Sequence, residues 1–171
     1  MILPAVRDPR LVSIRRGGTL TETDHRLLAV WAALCAEHVL SLFEESNSED
    51  TRPRDAIEAA RAWARGQARM MDTRAIGGHA MGAARLLHGA ARFAAYAAGQ
   101  AACVAHVPEH DLGAAAYAIK AARAAAPSGK EKEAGRAERD WQRQQLPDSL
   151  YSLVLEDQAR RNEICWAVFG D

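Results

Sequence analysis

The stretch Thr21–Leu42, "TETDHRLLAVWAALCAEHVLSL", decides the fold class. Leu27, Leu28, Trp31, Leu34, Cys35, His38, Val39 and Leu42 recur three and four residues apart. That is the period of one apolar helical stripe, and a strand would alternate every second residue. Thr21 can cap the first turn, and Asp24 three residues later completes a variant of the capping box. The spacing predicts one long helix running through Leu42, with His38 on its apolar face as a hydrogen-bonded core residue. His25, next to Asp24, reads as a surface or cap residue.

Outward from this stretch the pattern stays helical. Alanine is the commonest residue and β-branched residues are sparse, a composition that favours helix. "EESNSEDTRP" is a polar loop. Asp50 or Thr51 caps a second helix, with Pro53 in its first turn and Gly66 at its end. A third helix spans 72–89, with Ile76, His79 or Ala80, Ala83, Leu86 and Leu87 facing inward. A fourth spans 90–106, with Phe93, Tyr96, Gln100 and Val104 on one side. Gly89 either separates these two or lies within one longer helix. A fifth begins near Pro108. A sixth follows "PSGK", where Ser128 and Glu131 form a capping box. A seventh starts at Pro147 or Asp148 and ends near Gly170; its inner line is Leu150, Leu153, Val154, Asp157, Arg161, Ile164, Cys165 and Val168.

The expected architecture is all-α: a single compact bundle of about six or seven antiparallel helices over 21–171, preceded by a short extended arm over 1–20. That arm, "DPRLVSIRRGGTL" at its centre, ends in a turn at Gly17–Gly18. Alanine faces let helix axes approach toward the low end of about 8–10 Å.

Composition narrows the function. The 171 residues carry 22 basic and 22 acidic side chains, formal net charge +0. A general nucleic-acid or anionic-membrane binder would carry a basic excess, so neither partner is expected. No apolar run reaches membrane-spanning length and no secretory leader is evident, so a cytoplasmic location is expected. Cys35, Cys103 and Cys165 are odd in number and lie among apolar neighbours; they read as reduced, inert thiols.

One motif reads as catalytic at first sight. His106–His110, "HVPEH", matches the H-x-x-E-H spacing of a class of zinc proteases. Two imidazoles four apart on a helix would grip the metal, and the Glu would activate water. Pro108 argues against this, because it belongs in a helix's first turn and not between two ligands. The segment therefore reads as a helix junction, with Glu109 and Asp111 complementing the positive end of the next helix. His106 and His110 remain weak metal candidates, lacking an evident third ligand. Asp157 and Arg161, four apart on the inward line, read as an intrahelical ion pair or a polar partner-binding site. Lys120 is either solvated or reaches a carboxylate across the bundle. Arg15 and Arg16 on the arm could grip an acidic partner, although "RRGG" is not a phosphate loop.

Several stretches together resemble a known family. "RRGGTLTETDHRLLAVWAALCAEHVL", "RPRDAIEAARAWARG", "GAAAYAIKAARAA" and the terminal "RRNEICWAVF" are similar to immunity proteins of bacterial polymorphic toxin systems, the Imm-five-like group. The resemblance implies an all-α protein that binds and neutralises a cognate protein toxin, with no catalytic centre and no cofactor. The positions matching the recurring pattern are Arg15, Arg16, Asp24, His25, His38, Arg61, Trp63, His106, His110 and Lys120. An alternative is a helical bundle that binds a metal or small molecule, or acts as an enzyme, through interior His38, His79, His106 and His110. A third option is an assembly role, a homodimer formed through an alanine-rich face.

Overall fold

The computed structural model describes residues 2–170, and they form eight α-helices packed in one compact bundle. The helices are α1 (Glu22–His38), α2 (Ser41–Glu44), α3 (Arg52–Ala64), α4 (Met70–Ala83), α5 (Gly89–Cys103), α6 (Asp111–Ala125), α7 (Glu131–Gln144) and α8 (Asp148–Arg161). No strand occurs among the described residues; one isolated bridge joins Ser13 and Leu20.

The α1 start follows the sequence. Thr21 Oγ1 accepts from the Asp24 amide at 3.0 Å and donates to the Asp24 carboxylate at 2.7 Å. The helix ends earlier than its stripe suggests. It stops at His38, Val39 leaves helical geometry at φ −111° and ψ 5°, and the short α2 follows. Val39, Leu40 and Phe43 are still buried. The chain bends and keeps the same residues inside, because burying one such side chain gains about 1.5–3 kcal/mol. Trp31 anchors α1 by donating its indole N–H to the Gln142 carbonyl on α7 at 2.8 Å.

Helix α5 is the hub, packed against α1, α3, α4 and α6. Ala94, Ala95, Ala97, Ala98, Ala101 and Ala102 are all fully buried, so alanine covers most of its circumference. The alanine-rich faces of α5 and α6 are thus consumed within the bundle. At the α4–α5 crossing the backbones nearly touch: a Cβ on Gly77 would lie 2.7 Å from the Gly99 carbonyl oxygen and 3.0 Å from Ala102 Cβ. The three glycines of α4 weaken an isolated helix, and at Gly77 close packing is the reason for one of them. Gly89 does divide two helices. It begins α5 at φ +59°, after a 3-10 turn at Ala84–Leu86.

Three expected details differ. Ser128 does not cap α7, whose N-cap position is Lys130, with no side-chain cap bond; a turn closed by Lys130 N to Pro127 O at 2.9 Å, with Gly129 at φ +83°, sets the start. The last helix stops at Arg161 and not near Gly170. The turns that follow bury Cys165 and Val168 but leave Ile164 exposed. Leu86, expected inside, is exposed because it falls in the 3-10 turn where the 3.6-residue period no longer applies.

Residues 2–20 wrap onto the bundle as two 3-10 turns, Pro9–Leu11 and Ile14–Arg16. Leu11 and Leu20 are buried. "RRGG" makes the tight return: Gly17 takes φ +84°, and a Cβ on Gly18 would sit 2.0 Å from the Val12 carbonyl oxygen. No residue with a side chain fits there.

Candidate binding cleft

Five segments converge on a cleft of about 670 Å³. The turn Ser13–Arg16 and Leu20 form one rim, and Glu22, His25 and Arg26 of α1 form the floor beside them. Trp63 at the end of α3, Gly66 and Ala68 in the following loop, and Met70 opening α4 make the opposite wall. Ala105 and His106 close it from the α5–α6 connection. Four candidates, Arg15, Arg16, His25 and His106, far apart in the sequence, thereby share one concavity.

His25 is part of the frame and not of the surface. It is buried, and its Nε2 lies 2.7 Å from the Val104 carbonyl oxygen, so Nε2 carries the proton. Its ring meets Trp63 edge-on at 4.7 Å between centroids. Burial lowers its pKa, so the ring stays neutral. The expectation of a cap or surface residue fails because α1 lies beneath the α5–α6 connection, which no local pattern shows.

The cleft is basic. Arg15 is almost wholly exposed and has one long ion pair, 3.5 Å to Glu22. Glu22 is already held by Arg26 at 2.5 Å. Burial, with the neighbouring Arg16, Arg74 and Arg7 guanidinium groups, lowers the pKa of His106, whose Nδ1 has no hydrogen-bond partner among the described residues. Ile14 on the rim is exposed, as is Met71 next to Met70.

Other candidates lie elsewhere. His110 is engaged by another partner: its Nδ1 meets Gln100 Oε1 at 2.7 Å, and burial drives its pKa down to about 4. Among the described residues no group of three or more His, Cys, Asp or Glu side chains could hold a metal ion. His38 is exposed and not in the core. Because α1 ends there, its ring turns outward to pair with Glu138 at 2.7 Å and stack on Trp141 at 3.6 Å. His79 is exposed on α4, so the four histidines do not form an interior set. Arg61 is held by Glu37 at 2.8 Å and Glu58 at 3.1 Å, and Asp24 is occupied by Thr21.

Among the described residues Lys120 reaches no carboxylate, and it does not stand free in water. Its ammonium lies over the rings of Trp166 at 3.8 Å, Phe93 at 4.6 Å and Tyr117 at 5.8 Å. Partial burial and then Arg92 lower its pKa. Trp166 and Ala167, in left-handed geometry at φ 58° and 53°, bring the indole there. Short polar side chains usually occupy such geometry, so this backbone is strained.

Asp157 and Arg161 pair at 2.7 Å, and both are buried. They belong to a larger knot. Arg161 also donates to the carbonyls of Glu109 at 2.7 Å and Ile2 at 3.0 Å, and lies 3.8 Å from Asp111. Glu109, fully buried, receives two bonds from Arg7 Nε at 2.9 and 3.0 Å. Burial raises the pKa of Asp111. Glu109 and Asp111, read as first-turn dipole partners, are core ion-pair members, because Arg7 and Arg161 arrive from both ends of the chain.

Residues 18–149 match the model of a protein family described as Imm-5 like putative immunity protein. The chain belongs to this family. The match holds the cleft's floor and far wall, from Leu20 to His106, whereas Arg15 and Arg16 on the rim precede it. It stops at Ser149, so "RRNEICWAVF" and the Asp157–Arg161 pair lie outside the stretch that defines this Imm-5 like membership. No curated protein and no solved structure matches the chain. Among the described residues of this Imm-5 like chain, no helix is long and apolar enough to cross a membrane.

Proposed function

We propose that this chain is a non-enzymatic immunity protein that binds a cognate protein toxin in the cytoplasm and neutralises it. Family membership over residues 18–149 carries this reading. The side chains with nucleophilic potential support the non-enzymatic part. Cys35, Cys103 and Cys165 are all buried, and burial raises the pKa of each thiol away from the reactive thiolate. Binding is then a matter of occlusion, with surface charge steering the encounter.

The test is co-expression. The open reading frame neighbouring this gene is induced in a bacterial host with and without the chain. Restored growth, and a complex of the two purified proteins on size exclusion, are the expected outcome. A neighbour that is not toxic, or toxicity that the chain never relieves, overturns the reading.

A further inference from the structure

We propose that the cleft between the Ser13–Arg16 turn and the Trp63–Met70 wall docks an acidic segment of a protein partner, flanked by an apolar side chain. Arg15 and Arg16 take its carboxylates, and Trp63 and Met70 take the apolar group. That the partner is a toxin rests on the preceding reading; the chemistry of the cleft does not.

Three observations carry the assignment. The first is charge. The lining holds Arg15, Arg16 and Arg26 against the single carboxylate of Glu22, and Arg26 already engages that carboxylate. Among the described residues Arg16 has no ion-pair partner, and Arg15 has only the 3.5 Å contact. Guanidinium forks match carboxylates bidentately, so two exposed forks side by side ask for acidic side chains. The second is shape. A concavity of about 670 Å³ falls within the roughly 300–1,000 Å³ typical of sites that enclose a ligand, so it accepts a short segment and not a flat protein face. The third is the apolar rim. Ile14, which lines the cleft, is 61% exposed and does not serve the core, and Met70 lines the opposite wall beside Trp63. Arg and Trp beside apolar groups are the residue types that carry most binding energy at protein interfaces.

Nucleic acid fits less well. A phosphate backbone calls for a continuous basic stripe, whereas this chain has net charge +0 and places Glu22 on the cleft floor.

The full chain is labelled with nitrogen-15 and titrated with acetyl-Asp-Phe-Glu-Asp-amide, acetyl-Lys-Phe-Lys-Lys-amide and a ten-nucleotide oligothymidylate. The acidic peptide should shift the Trp63 indole signal and the amides of 13–20 and 105–106. Affinity should fall at least ten-fold in R15E/R16E and stay unchanged in K132E/R136E, which makes the same charge change on α7, outside the cleft. No shift at the cleft, equal binding of the basic peptide or by R15E/R16E, or tighter binding of the oligothymidylate would each overturn the proposal. The neighbouring toxin separates the two readings. Rescue by wild type and not by R15E/R16E supports both. Full rescue by R15E/R16E overturns the cleft and leaves the immunity reading intact. No rescue by wild type overturns the immunity reading, and the peptide titration still decides the cleft.

Discussion

Arg161 and Arg15 carry the same guanidinium in opposite surroundings. Arg161 is 1% exposed, bonded to Asp157 and two backbone carbonyls, and faces Asp111. The Arg15 side chain is 88% exposed and has one long contact. A buried guanidinium without partners would be expensive, so the fold gives both terminal nitrogens of Arg161 acceptors and uses them to tie residues 2, 109 and 157 together. A guanidinium in water costs little and remains available to something outside. Burial, and not residue type, separates an arginine that holds the molecule together from one that can be offered to a partner.

The largest effect should come from breaking the buried knot. Arg161→Met leaves Asp111 without its cation and Asp157 with Arg160 alone, and removing one member of a buried pair costs about 3–5 kcal/mol. Urea unfolding measures this; a loss below about 1 kcal/mol would mean that the knot is hydrated and that the contrast with Arg15 is false.

Next in size is a pH effect at the knot's edge. The pKa of His110 falls from 6.5 to about 4 on folding, through burial and then the charges of Arg161, His106, Arg74 and Arg7. Between these values the unfolded chain binds more protons, so this residue makes stability rise with pH and be lost as pH falls from 6.5 toward 4. The full shift corresponds to at most about 3 kcal/mol. Asp111 acts in the opposite sense: its raised pKa lets the folded state keep a proton above 3.8, so its contribution falls as pH rises. Urea midpoints of wild type and His110→Gln across pH 4–7 isolate the first term. The stability advantage of wild type should grow with pH over that range; a constant difference would place the His110 ring in water.

The α4–α5 crossing gives an intermediate effect through apolar packing alone. Gly77→Ala puts a methyl group 2.7 Å from the Gly99 carbonyl oxygen and should cost about 1–3 kcal/mol, read as a lower unfolding midpoint. A neutral result would show that the helices can part. The smallest stability effect belongs to the cleft rim. Arg15→Ala with Arg16→Ala should stay within about 0.5 kcal/mol of wild type, as surface changes do. A larger loss would make the rim a structural element and erase its difference from Arg161.

The HVPEH segment shows how far the sequence could be read. Pro108 marked a junction, and the chain does leave α5 at Cys103 and enter α6 at Asp111 through a 3-10 turn beginning at Pro108. What the letters hid was the company of each residue. His106 joins Arg16 at the cleft, His110 joins Gln100, and Glu109 joins Arg7 a hundred residues earlier. The basic rim was visible as Arg15–Arg16. Arg26 and Met70, which complete the cleft, carried no signal, since an exposed arginine on a helix and a methionine after a loop are ordinary.

Helicity, the buried stripe of α1, the Thr21 start and the reduced thiols followed from local chemistry. Periodicity, capping and side-chain volume act over one or two helical turns, so the order of residues alone sets them. The early end of α1, the outward turn of His38, the burial of His25 and the Lys120 aromatic enclosure came only from tertiary packing. Each depends on which distant segment lies against the helix, and that is settled by the joint burial of apolar surface and the joint satisfaction of buried charges across the whole bundle.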